Sequence, residues 1–179
     1  SSVMQTVNYY VELSGKDENP GTKELPFRTV QKAIQERNSL GQQHIVYINI
    51  GEGKFEGKVE VYGGGLLFIK GKGSDKTTIT SSGSPAIYVQ GASYIKITDI
   101  KVIGSGSGVL AVSGATFEVY QCVLQGSGVS TTTYGFSGYY GSGAIINTHI
   151  ESVGSAIVSA NGTTVRAYNN SGKNVNYGY

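Results

Sequence analysis

Ala86-Ile87-Tyr88-Val89-Gln90-Gly91-Ala92-Ser93-Tyr94-Ile95-Lys96-Ile97-Thr98-Asp99-Ile100-Lys101-Val102-Ile103-Gly104 aligns without a gap on Ala156-Ile157-Val158-Ser159-Ala160-Asn161-Gly162-Thr163-Thr164-Val165-Arg166-Ala167-Tyr168-Asn169-Asn170-Ser171-Gly172-Lys173-Asn174, at an offset of 70. Two further copies lie between them. With Ile95 as the marker, the equivalents are Phe117, Ala144 and Val165, at spacings of 22, 27 and 21; Ile97 is matched by Val119, Ile146 and Ala167. A period near two dozen residues is the signature of a solenoid, in which each coil buries its apolar side chains against the same positions of its neighbours. Propeller blades need about 40 residues or more, and the Leu/Asn consensus of leucine-rich repeats is absent. The sequence therefore predicts an all-β, right-handed single-stranded parallel β-helix. A single coil cannot offset its own backbone ordering, about 1–2 kcal/mol per residue, so stacking is obligatory.

Outward from the repeat, strand-like alternation continues upstream through Ile45-Val46-Tyr47-Ile48-Asn49-Ile50, Lys58-Val59-Glu60-Val61, Leu66-Leu67-Phe68-Ile69 and Thr77-Thr78-Ile79-Thr80. Gly91, Gly114, Gly138 and Asn161 fall at equivalent or nearly equivalent corners, where residues tolerant of positive φ are needed. In a parallel stack Lys96 faces Glu118 on the outer surface. Further upstream the period becomes helical. From Pro26 to about Arg37, Phe27, Val30, Ala33 and Ile34 share one face, with Gln31, Lys32, Gln35 and Glu36 on the other. This predicts a short N-terminal helix covering the first coil, with Pro26 at its start. Residues 1–43 then form a strand, a loop and the capping helix, and 44–179 form the coils of one domain. Asn176-Tyr177-Gly178-Tyr179 reads as the opening of another coil, so the chain is expected to be a piece of a longer protein.

Composition narrows the partners. A formal net charge of +2 with 15% charged residues argues against nucleic acid or an anionic membrane. No apolar run is long enough to span a bilayer, and Ser1-Ser2-Val3-Met4-Gln5-Thr6 lacks the regions of a signal peptide. Cys122 is the single cysteine, so no intrachain disulfide is available.

Tyr9-Tyr10-Val11, Ser14-Gly15, Asp17, Asn19-Pro20-Gly21-Thr22 and Pro26-Phe27-Arg28-Thr29-Val30-Gln31-Lys32-Ala33-Ile34 together resemble the N-terminal motif of pectate-lyase-like β-helix proteins. The versions in bacteriophage tailspikes and neck or tail appendages are the most similar. The closing stretch from Tyr168 to Gly178 is similar to coils of phage structural proteins of Gram-positive hosts. The resemblance implies a virion module that binds bacterial cell-surface polysaccharide as a homotrimer, located in a tail or neck appendage. Two alternatives carry different implications: a secreted polysaccharide lyase or glycoside hydrolase of the pectate-lyase-like superfamily, or an adhesin on a bacterial cell surface. Fold alone does not choose among them.

Glycoside hydrolysis needs two carboxyl groups about 5–10 Å apart, and lyase chemistry needs a base beside the α-proton. The candidates are Asp99, Glu118, His149 and Glu151. Asp99, aligned with Gln121, Thr148 and Asn169, reads mainly as a polar corner. His149 and Glu151 stand two apart on one strand, so they share a face; by alignment they replace the core-type Ile100 and Val102. A bulge or an outward-turned coil competes with an acid–base pair there. Arg166 reads as a surface charge.

Asp17, Glu18 and Asn19 offer oxygen ligands for Ca²⁺, but the loop needs no metal to turn at Pro20-Gly21. No metal and no cofactor are expected. Gly63-Gly64-Gly65 and Gly71-Lys72-Gly73-Ser74 precede no helix that an anion could cap. Asn161-Gly162-Thr163 and Asn169-Asn170-Ser171 match glycosylation acceptors. The third coil, Thr131 to Gly141, is about five residues longer than its neighbours by this alignment. It is expected to emerge as a loop in which Tyr134, Tyr139 and Tyr140 meet either a glycan or another subunit.

Overall fold

A computed structural model describes residues 4–41 and 44–178. Ser1, Ser2 and Val3, which carry part of the leader reading, and Tyr179, which closes the expected partial coil, lie outside the described residues. The elements in chain order are β1 (Gln5–Val11), α1 (Val30–Ser39), β2 (His44–Ile50), β3 (Gly53–Glu56), β4 (Val59–Tyr62), β5 (Leu66–Lys70) and β6 (Thr77–Thr80). Then come β7 (Ile87–Gln90), β8 (Tyr94–Thr98), β9 (Lys101–Ile103), β10 (Ser107–Ser113), β11 (Thr116–Tyr120) and β12 (Val123–Gln125). The last are β13 (Tyr134–Tyr139), β14 (Ser142–Ile146), β15 (His149–Ala160), β16 (Thr164–Tyr168) and β17 (Ser171–Tyr177).

All these strand pairs are parallel. One wall is a seven-stranded sheet in the order β1-β2-β5-β8-β11-β14-β16, so six turns follow β1. The ten-stranded sheet supplies the other two walls: β3-β6-β9-β12 stacks as one, β4-β7-β10-β13 as the other, and the long β15 runs through both. This is the right-handed parallel β-helix the repeat predicts.

Inward side chains form columns. Val46, Leu67, Ile95, Phe117, Gly143 and Val165 stack in one; Ile48, Ile69, Ile97, Val119, Ile145 and Ala167 in the next. A third, on the adjoining wall, is Phe55, Ile79, Val102, Leu124 and Ile150. A fully buried Ile, Leu or Phe contributes roughly 1.5–3 kcal/mol, and such side chains make one connected core from Val11 to Val165.

Gly143 and Ile145, rather than Ala144 and Ile146, hold the marker positions in the turn of β14, so the repeat spacings are 22, 26 and 22. The cause is Phe117. Its carbonyl oxygen and its ring both occupy the space a Cβ at Gly143 would need, and the ring packs on Phe136 with centroids 4.8 Å apart. A glycine therefore sits where the alignment seeks an apolar side chain. The corner set shifts likewise: Tyr140, not Gly138, follows Gly91 and Gly114 in register, and Gly138 lies within β13.

The head differs from expectation in where the helix starts. Pro26 and Phe27 are extended: Phe27 N donates to Tyr10 O and Glu12 N to Phe27 O, both at 2.9 Å, which lays Phe27 beside Val11. Gly21, at φ +82°, leaves room for the Phe27 ring, which is buried. Thr29 then caps the helix by accepting from Lys32 N. Asp17 braces that cap, accepting from Arg28 N, Thr29 N and the Thr29 hydroxyl at 2.9, 2.9 and 2.7 Å. Val30, Ala33 and Ile34 face the first turn, and Arg37 completes the buried face. Its guanidinium donates to Tyr62 O at 2.8 Å, Gly64 O at 2.7 Å and Gly63 O at 3.3 Å. Burial pushes that guanidinium's pKa down.

Candidate functional site

The last four turns leave the seven-stranded wall through a residue with left-handed backbone: Asp99 (φ 60°), Gln121 (φ 54°), Asn147 (φ 49°) and Asn169 (φ 53°). Asp and Asn tolerate this conformation because their short polar side chains bond locally. Three of these residues' N–H groups donate to the carbonyls of Tyr120, Ile146 and Tyr168 on the next turn, so the corners stack in register. Asn147, not Thr148, is thus the equivalent of Asp99; Thr148 turns inward beside Cys122 and is buried. Burial pushes the Cys122 thiol up to about 12, and its Sγ lies against the carbonyls of Tyr120 and Ile97, so it offers no nucleophile.

The corner residues, with Asp75, His149 and Ser171, line an open cleft of about 530 Å³. His149 pairs in register with Val123 and Lys101, and Glu151 with Gln125 and Ile103, so both occupy outward positions. The core assignment opposite Ile100 and Val102 is corrected by one residue, and no bulge is required there. His149 Nε2 lies 3.3 Å from Glu151 Oε2. Its Nδ1 lies 2.8 Å from Ser171 Oγ on the next turn. Sequence reading missed Ser171 because the contact spans 22 residues; the signal was its place directly after His149 in the stacking order.

Glu118 does not join this group. It projects from the seven-stranded wall, where Lys96 Nζ lies 3.5 Å from one carboxylate oxygen and the Tyr94 hydroxyl donates to the other at 3.1 Å. Burial, and then Glu118, push the Tyr94 phenol up to about 12. Arg166 shares the row but Ala144 stands between, and it is exposed.

Nor do the three tyrosines form one loop. Tyr134 and Tyr139 are the half-buried ends of β13, and Tyr140 is a corner residue, 68% exposed with φ 55°. The extra residues of that turn are 126–133, which fold down instead of projecting. Thr133 Oγ1 donates to Gly128 O and accepts from Gly154 N, both at 2.8 Å. Tyr140 instead borders a groove of about 570 Å³ walled by Gly91, Gly114, Gly141 and Gly162. Asp17 and Asn19 are committed to the head, Asn19 Nδ2 donating to Pro26 O at 2.8 Å. Among the described residues no His, Cys, Asp and Glu cluster is arranged to hold a metal.

A second feature missed in sequence is an aromatic run on the outer face of the seven-stranded wall. Tyr47 stacks on Phe68 with centroids 4.6 Å apart and planes at 12°; Phe68 meets Tyr94 at 5.7 Å, and Lys96 lies 5.5 Å over Tyr120.

No protein-family model matches the sequence, and no curated protein sequence matches it. Solved structures do. Pectin methylesterase PemA from Erwinia chrysanthemi is similar with a TM-score of 0.62 and 13% identity, over 88% of this chain and 53% of that one. The catalytic domain of a GH87 alpha-1,3-glucanase gives 0.46 and 15%, over 82% and 37%. A rhamnogalacturonan lyase gives 0.44 and 12%, over 96% and 62%. The chain spans about half the length of the pectin methylesterase it matches. At 13% identity the likeness to the pectin methylesterase is one of architecture, and by it the chain has the pectin-lyase-like parallel β-helix fold.

Proposed function

We propose that the chain is part of a polysaccharide-acting enzyme and holds its sugar chain across the stacked corners. The observation that carries this is the cleft itself. Asp75, Asp99, Gln121, Asn147 and Asn169 present carboxylates and amides at successive turns, and His149 stands at its edge. Repeated donors and acceptors along a groove suit a polymer whose hydroxyl groups repeat too. The likeness to a pectin methylesterase agrees with an acidic or decorated polysaccharide as substrate.

Affinity electrophoresis against bacterial surface polysaccharides and polyuronates, with product release measured in parallel, tests the reading. One polymer is expected to retard the chain and be modified. Combining Gln121→Gly with Asn147→Gly should weaken retardation about tenfold, the equivalent of roughly one lost hydrogen bond. Glycine is the suitable replacement because both positions have positive φ. Unchanged retardation in the double variant would remove the cleft from the account; no retardation by any polymer would remove the function.

A second reading is favoured by the aromatic run. Tyr47, Phe68 and Tyr94 give a non-catalytic module a surface for sugar faces or for another subunit, as in a homotrimeric phage appendage or a bacterial adhesin. The phage assignment rests on the head motif's resemblance. In that case polymer binding survives the cleft substitutions, falls with Tyr47→Ala, and yields no product.

A further inference from the structure

We infer that Ser171, His149 and Glu151 form an ester-hydrolysing relay at the end of the cleft. Three side chains from two stacked turns are in line. Ser171 Oγ lies 2.8 Å from His149 Nδ1, and His149 Nε2 lies 3.3 Å from Glu151 Oε2. With Glu151 ionised and His149 neutral, one tautomer serves both contacts. An ionised carboxylate only accepts, so the neutral imidazole carries its hydrogen on Nε2 and donates to Glu151. Nδ1 is left as an acceptor, and the Ser171 hydroxyl donates to it. That is the arrangement of nucleophile, base and orienting acid, although the two ring nitrogens exchange the roles they have in serine proteases.

The three occupy outward positions. His149 and Glu151 sit two apart on β15, and β17 places Ser171 directly opposite His149. Ser171 is exposed to an incoming carbonyl. Asn169 lines the same cleft, and its Nδ2, which donates one hydrogen to Asn147 Oδ1, keeps a second for a developing oxyanion.

In the reaction Ser171 Oγ attacks the ester carbonyl carbon while its proton passes to Nδ1. The bond from that carbon to the alcohol oxygen breaks, and the same proton returns to the leaving oxygen. Water then attacks the acyl carbon while Nδ1 takes its proton, the bond from that carbon to Ser171 Oγ breaks, and the proton returns to Oγ as the carboxylic acid leaves. Ester and water give acid and alcohol, and no redox partner is involved. The substrate is a carboxylic ester carried by a saccharide, either an O-acyl sugar or an alkyl uronate. The saccharide part rests on the proposed function; the relay does not.

The 179-residue chain should therefore hydrolyse p-nitrophenyl acetate, and a fluorophosphonate should label it at Ser171, located by peptide mass spectrometry. Ser171→Ala should abolish labelling and lower the rate at least about a hundredfold with an unchanged melting temperature. Glu151→Gln, which acts through His149, should lower kcat with KM unchanged, and Glu151→Asp should restore part of it. Hydrolysis equal in wild type and Ser171→Ala, labelling elsewhere, or no hydrolysis above buffer would each overturn the relay while leaving polymer binding standing. If aryl acetate is cleaved, acetate release from an O-acetylated polysaccharide against methanol release from a methyl-esterified polyuronate identifies the natural ester; release of neither overturns the saccharide assignment.

Discussion

The two ends of the solenoid are built on different terms. At the head, large side chains close the column: Phe27, Val30, Ile34, Val46, Ile48 and Phe55 are all buried, and Arg37 ties α1 to the carbonyls at residues 62–64. Over the last two turns the same columns carry Gly143, Ala167 and Gly172, and β17 is exposed at six of its seven residues, all but Val175. Chemistry follows the reverse gradient. Asp17 and Asn19 of the head are bonded to its own backbone, whereas His149, Glu151 and Ser171 keep their reactive atoms near solvent. Firm packing and available polar groups occupy opposite ends because a buried polar group must satisfy its hydrogen bonds within the protein.

Phe27→Ala is the largest expected loss. It removes a ring in contact with Gly21 and Tyr9 at the head of the core, and a deletion of that size costs about 3–5 kcal/mol. Val175→Ala, half-buried in the last turn, should cost under about 1 kcal/mol. Urea melts of both variants check the contrast, and equal losses would mean that the two ends unfold as one unit of equal importance.

This gradient also decided what could be read from sequence. The stacking period, the parallel pairing and the capping helix were legible because Ile, Val and Phe repeat at fixed intervals wherever the column is wide. Reading slipped where the column is filled from a neighbouring turn: Phe117 makes a glycine sufficient at 143, and the register of β14 and β15 moved by one residue with it. That slip placed His149 and Glu151 in the core and Thr148 at the corner. Arg37 stayed hidden because a charged residue on the buried face of a helix is explained only by carbonyls some 25 residues away. The aromatic run and the Ser171 contact are likewise properties of stacking order, which a linear reading of each strand does not display.

A middle-sized effect lies between the ends, at Cys122. Burial pushes its thiol up to about 12 in the folded chain, from the ordinary thiol value of 9.0 that the unfolded chain approaches. Between those values the unfolded state has released a proton that the native state retains, so stability falls as pH rises from about 9. Melting temperatures followed across that window in wild type and Cys122→Ala should differ in slope, the variant lacking the thiol's share of the decline. Parallel slopes would show that the thiol ionises without unfolding, contrary to its burial between Ile97 and Thr148.

The smallest expected effect concerns the Lys96–Glu118 pair, the one charge pairing read correctly from sequence. Both side chains are about one-third exposed and their charged atoms stand 3.5 Å apart. A pair so placed contributes roughly 0–1 kcal/mol and is weakened by salt. Lys96 also lies over the Tyr120 ring, and Glu118 accepts from Tyr94, so each partner retains a contact when the other is removed. A double-mutant cycle with Lys96→Met and Glu118→Gln should return a coupling within that range at low salt and close to zero at 1 M. A larger, salt-resistant coupling would mean that this wall is drier than its exposure indicates, and would favour a second copy of the chain over a sugar as the partner of the aromatic run beside it.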